Sequence, residues 1–106
     1  MNKEDFIKSV KERLMDQGNL VFIVREKNYS GFPDLVVIKR GEVKFVYVKM
    51  ESFMLARIQL MTAQLISRKG VGCYLLRNCE KKESLAQFTG EDQRPLKELP
   101  LENLFK

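Results

Sequence analysis

Two charged residues bracket the apolar centre of this 106-residue chain. Asp34 follows Pro33 and opens the run Asp34-Leu35-Val36-Val37-Ile38-Lys39, and Lys49 closes the run from Val43 to Lys49. A carboxylate at the mouth of a buried strand needs a cation or hydrogen bonds to offset its desolvation. A lysine that ends an apolar strand either snorkels to solvent or turns inward to meet an anion. Arg40-Gly41-Glu42 lies midway and reads as a turn, so a hairpin brings Asp34 and Lys49 to one end, where their side chains can share a pocket. The chain has no histidine. That excludes a Ser-His-Asp triad, a Cys-His nucleophile, histidine acid–base chemistry and the usual Cys/His zinc sites. Catalysis, if present, must run on carboxylates, lysine or tyrosine.

The elements around this pair follow from periodicity. Residues 4–17 read as an amphipathic helix, with Phe6, Ile7, Val10 and Leu14 at helical spacing, Asn2 or Asp5 as its cap and Gly18 as its stop. Residues 20–25 form a short β-type run, followed by a polar break from Glu26 to Ser30 and then Gly31-Phe32-Pro33. Pro33 has no N–H to donate and favours a strand start. On the second strand of the hairpin, alternation places Phe45, Tyr47 and Lys49 on one face. Residues 55–69 read as a second helix with Leu55, Ile58, Met61, Leu65 and Ile66 on one side, ended by Gly70, and residues 71–77 as another strand. Beyond Asn78 the pattern weakens. Pro95 and Pro100 punctuate it, and Leu96, Leu99, Leu101, Leu104 and Phe105 suggest a short helix or an extended arm on the body or on a partner subunit. The order α-β-β-β-α-β predicts an α/β fold, a mixed sheet flanked by helices. The length predicts one domain over 1–106, with a core of about 4–77 and a C-terminal extension over 78–106.

Composition narrows the setting. Hydrophobic residues make up 44% and charged residues 31%, an ordinary globular balance that argues against disorder. The net charge of +5 and a pI near 9.3 make nucleic acid a plausible partner and are equally met by a solvated basic surface. No apolar run approaches the roughly 20 residues that span a bilayer, and the charged start Met1-Asn2-Lys3-Glu4-Asp5 is not a secretion signal. The expected location is the cytoplasm, or a host-cell cytoplasm for a phage- or virus-derived protein. Cys73 and Cys79 form no CxxC pair, and Cys73 reads as a core thiol.

Gly31-Phe32-Pro33-Asp34, an apolar strand, a turn, and then Phe45-Val46-Tyr47-Val48-Lys49 resemble the PD-(D/E)xK nuclease superfamily. In detail the stretch is similar to the small stand-alone VRR-NUC type, which is related to archaeal Holliday-junction resolvases. Gln59, eleven residues before Gly70, repeats the family's spacing, and the resemblance spans roughly Glu12 to Arg77. It implies a restriction-endonuclease-like sheet, a Mg2+ or Mn2+ ion and homodimers acting on duplex or branched DNA. It also implies that Asp34 and the Val48 carbonyl are metal ligands, with a further carboxylate from Glu12. Lys49 would orient or deprotonate water or stabilise the phosphate, and Gln59 would support the site. Magnesium held with open positions activates water and relieves charge on a pentavalent phosphate.

Tyr47 departs from that pattern, standing where the motif has its second acid. A neutral phenol is a poor ligand for a hard cation, so metal-dependent cleavage is expected to be lost or severely weakened. The alternative is a relocated acid, with Glu51 on the Lys49 face, Glu12, or Glu26 as replacement. Each residue also has an ordinary reading: Asp34 as a turn cap, Lys49, Glu12 and Gln59 as solvated side chains, and Tyr47 as core packing. Arg25, Lys27, Lys39, Arg40, Lys44 and Arg57 are the expected phosphate contacts near strand ends and loops. Three functions are therefore expected: a nuclease-fold protein of DNA metabolism with a degraded or relocated metal site, a non-catalytic nucleic-acid-binding module, or a protein-interaction subunit.

Overall fold

In the computed structural model, the described residues are 2–25, 31–50, 55–79, 82–88, 97–99, 101 and 104. Helix α1 (Lys3–Asp16) starts on Asn2, whose Oδ1 accepts the Asp5 N–H at 2.8 Å. Acidic Glu4 and Asp5 in the first turn suit the positive end of the helix dipole. Gly18, at φ +89°, lets the chain leave the helix. Strands β1 (Leu20–Ile23), β2 (Leu35–Lys39) and β3 (Glu42–Lys49) then form an antiparallel meander. Arg40 and Gly41 make the tight loop between β2 and β3, both with positive φ, the arrangement that matches the twist of the flanking strands.

Helix α2 (Arg57–Arg68) crosses over to β4 (Gly72–Cys79), which lies parallel to β3. Strands β5 (Lys82–Phe88) and β6 (Lys97–Leu99) continue antiparallel, so the six-stranded mixed sheet keeps its strands in chain order. This is the expected α/β order, extended by two strands.

Alternation on β3 separates two cores. Val46 and Val48 join Leu35, Val37 and Leu76 under Phe6, Val10 and Leu14 of α1. Tyr47 joins Leu75, Cys73 and Phe88 under Ala63 of α2, with Phe45 and Leu60 packed at the margin. Burial of Cys73 pushes its thiol up to about 12, against the lowering effect of a Tyr74 backbone hydrogen bond.

Two expectations change, and the alternatives for the tail narrow. The expected stripe on the second helix splits: Leu55 is buried in the α2-side core and Ile66 is partly buried, whereas Ile58, Met61 and Leu65 are exposed and Thr62 and Ala63 are buried. Ala63 meets Tyr47, Leu75 and Phe88 on that side, with Leu60 at the margin. Of the alternatives for the tail, the described residues take the arm on the body: β6 extends the sheet, and Leu101 and Leu104 enter the α1-side core. Lys44 does not face phosphate. It shares the α1-side parity of Val46 and is buried, with Nζ donating to the Tyr74 hydroxyl at 3.1 Å and to the Leu104 carbonyl, 5.2 Å from the Tyr74 ring centroid.

Two outcomes are expected. Lys44→Met strands the Leu104 carbonyl and the Tyr74 hydroxyl, lowering stability by about 1–3 kcal/mol in urea titration and speeding proteolysis of the tail. For Cys73, thiolate formation favours the unfolded chain. Its contribution is complete below the ordinary value of 9.0 and is lost as pH rises toward about 12. A thiol reagent near neutral pH should therefore label Cys73 only as fast as the protein unfolds, and Cys73→Ala should show a shallower alkaline loss of stability.

Candidate nucleic-acid interface

The loop Gly31-Phe32-Pro33 delivers Asp34 to the end of the sheet, where its backbone is clamped on both sides. The Asp34 N–H donates to the Val46 carbonyl at 3.1 Å, and its carbonyl accepts the Val24 N–H at 2.9 Å. The carboxylate is buried, 5% exposed as a residue, and compensated in two ways. Oδ2 accepts the Val48 N–H at 2.8 Å, and Lys3 Nζ stands 3.4 Å from Oδ1. The N–H and C=O of one extended residue point to the same side of its strand. The Val48 carbonyl therefore faces Asp34 as well.

Tyr47 is fully buried among the α2-side core residues, and its hydroxyl donates to the Gly31 carbonyl at 2.7 Å. Phe32 packs edge-on against Phe45, with centroids 5.8 Å apart. One strand thus holds the preceding loop by a phenol and an aromatic contact. Where an acid would place charge at the site, Tyr47 places a strut under the backbone that presents Asp34.

The other expected residues separate by position. Lys49 lies two residues beyond Tyr47 on the α2 side, half-buried, and is paired in register with Arg77 of β4. Arg25 is exposed at the Asp34 end, with Nη1 2.7 Å from Glu4 Oε1, and Arg57 is exposed at the start of α2. Lys39 and Arg40 sit at the turn end of the hairpin, five and six residues from Asp34, and so at the opposite end of the sheet. Glu12 is exposed nine residues beyond Lys3, about 13 Å along α1 at 1.5 Å per residue, and is not brought to Asp34. Gln59 accepts the Ala56 N–H at 3.0 Å and so closes the first turn of α2 rather than reaching the site. Lys27, Glu26 and Glu51 lie outside the described residues.

Three residues of this end were missed in sequence. Lys3 and Glu4 fall there because α1 starts at this end of the sheet, and Glu4 is held below the usual carboxylate range by its hydrogen bond from Arg25, then by Lys8. Arg77 falls there because β4 is parallel to β3, a register that spacing alone does not fix.

The described donors at this end do not by themselves make a set for a divalent ion, and Glu26 and Glu51 lie outside the described residues. Among the described residues no three His, Cys, Asp or Glu side chains converge. Asp34 is a single carboxylate already matched by an ammonium, and the phenol proton of Tyr47 is committed to Gly31. The described charges at this end are Lys3 paired with Asp34, Arg25 paired with Glu4, and Lys49 in register with Arg77.

Tyr47→Phe removes the bond to Gly31 and keeps the ring. The expected loss is about 1–3 kcal/mol in urea unfolding, with faster amide exchange over residues 31–34 than over β4.

Comparison with known proteins agrees with this geometry. No protein-family model and no curated protein matches the chain. Among solved structures, a VRR-NUC domain superposes with a TM-score of 0.63 at 30% identity, covering 74% of this chain and 86% of that one. The Holliday junction resolvase Hjc of the archaeal hyperthermophile Archaeoglobus fulgidus superposes with a TM-score of 0.64 at 20% identity, covering 90% of this chain and 84% of the resolvase.

Proposed function

Because the chain belongs to the VRR-NUC family of the PD-(D/E)xK nuclease fold, we propose that it is a DNA-binding protein of DNA metabolism whose metal-dependent cleavage has been lost. The observation that carries this reading is Tyr47. The position that supplies an acid in the motif is an uncharged, buried side chain bonded to Gly31. Lys3 then meets the remaining carboxylate. Reduced negative charge disfavours a hard divalent cation, and nothing in the described donor set replaces it.

Binding to DNA follows from the cations of the same end. Lys49 and Arg77 are neighbours across parallel strands on one face at the Asp34 end, where two cations on adjacent strands can serve phosphate. Contacts of this kind are independent of sequence. The site lies at the carboxyl ends of the two parallel strands, where open α/β sheets place their ligands. The resolvase likeness makes duplex or branched DNA the substrate to try first.

The test compares wild type, Tyr47→Glu, and Lys49→Ala with Arg77→Ala on labelled duplex and four-way DNA. Wild type should bind at low salt, with log K falling linearly in log salt, and the double variant should bind at least tenfold more weakly with a shallower slope. Wild type should show no manganese binding by calorimetry and no cleavage. Tyr47→Glu should gain manganese affinity that Asp34→Ala abolishes. Cleavage by wild type would overturn the loss of activity, and Glu51→Ala would then show whether that acid had taken over. Absence of DNA binding at low salt would leave a protein-interaction role.

A further inference from the structure

Helix α1 begins with a residue set against its own dipole. Glu4 and Asp5 in the first turn suit the positive end, but the first helical residue is Lys3. A cation at that position is disfavoured unless an anion offsets it. Asp34 is that anion. Lys3 Nζ lies 3.4 Å from Oδ1, with the aspartate side chain 7% exposed and the lysine side chain 45% exposed. The outer side of the ammonium stays hydrated while its inner side meets a buried acid, which lowers the cost of burying the pair.

The surrounding structure holds this contact in place. Asn2 Oδ1 accepts the Asp5 N–H, and Phe6, Val10 and Leu14 anchor the helix in the core, so the Lys3 backbone is fixed relative to the sheet. One residue on, Glu4 pairs with Arg25 at 2.7 Å. The Val24 N–H, next to Arg25, donates to the Asp34 carbonyl. Two ion pairs of opposite polarity therefore clasp the first turn of α1 to the ends of β1 and β2. An ammonium tethered in this way stays at the carboxylate at high effective concentration.

Both carboxylate oxygens are engaged, Oδ1 by Lys3 and Oδ2 by the Val48 N–H. The amide belongs to β3 and cannot leave, so a divalent ion reaches Asp34 only by displacing the ammonium. Until then like charges oppose it. We infer that Lys3 is the selectivity residue of this end of the sheet, a resident counter-cation that excludes hard divalent ions from Asp34. Tyr47 removes one acid from the family pattern, whereas Lys3 closes access to the acid that remains. The inference rests on the reading of Asp34 as the acid retained from the family motif, and not on DNA binding.

Manganese titration of the full chain, by calorimetry and by thermal melting, tests this. Lys3→Met should melt below wild type without metal, because the buried carboxylate loses its partner. Manganese should restore its melting point, and sodium chloride at equal ionic strength should not. Its manganese affinity should exceed that of wild type by at least roughly tenfold. Lys3→Gln, a second neutral variant, should show the same gain, Lys3→Arg should behave as wild type, and Asp34→Asn should abolish the gain of Lys3→Met. Neutral variants that bind manganese no better than wild type overturn the proposal, as does a gain that survives Asp34→Asn. Failure of wild type to bind DNA would overturn the proposed function and leave this inference intact.

Discussion

Strand β3 is apolar on both of its faces, and burying both is the constraint from which the architecture follows. Val46 and Val48 require a cover on one side, Phe45 and Tyr47 on the other. Helix α1 meets the first requirement and α2 the second, and reaching the second face takes the chain through the crossover that makes β4 parallel. That single parallel pair brings the carboxyl ends of β3 and β4 together. Asp34 arrives from the antiparallel side, on a loop that Tyr47 holds from beneath. The site is thus a by-product of covering one strand twice.

Asp34 is worth retaining in such a place only if it is compensated, and here the compensation comes from the protein itself. A backbone N–H and an ammonium take up the carboxylate. In this arrangement Asp34 acts as an organiser of the end of the sheet, joining α1 to β3. The loop that carries Asp34 is fixed by the Tyr47 hydroxyl on the Gly31 carbonyl and by the Asp34 backbone bonds to Val46 and Val24.

Much of this was legible in the residues. The hairpin declared itself through Arg40-Gly41 and the alternation on either side, and Gly18 and Gly70 ended the helices as expected. That Asp34 meets the far end of β3 followed from the same pairing, whereas Val48 was named only through the family resemblance, and it is the Val48 N–H that Asp34 accepts. Lys44 was legible too and misread: it shares parity with Val46, which already pointed it inward. The α2 stripe misled in part because bulk was taken for burial: Leu55 is buried, but Thr62 and Ala63 are buried where Ile58, Met61 and Leu65 were expected. Strand β5 lacks the Gly or Asn that usually announces a hairpin, and its Leu85-Ala86 and Phe88 do not alternate cleanly, so the last two strands were not visible. Lys3 and Glu4 carry no signal of their own in the sequence, because only the direction of α1 across the sheet brings its first turn to the Asp34 end.

The Lys44 contact has a consequence for how the protein is made. Synthesis releases β3 from the ribosome sixty residues before the Leu104 carbonyl that accepts its lysine. The meander of β1, β2 and β3 can pair as it emerges, since its contacts are local. Until residue 104 appears, the lysine of the nascent sheet meets the Tyr74 hydroxyl and the Glu42 carboxylate without its backbone acceptor. Leu104 thus closes late a contact that β3 offers early, and a chain cut before it holds this buried ammonium less well.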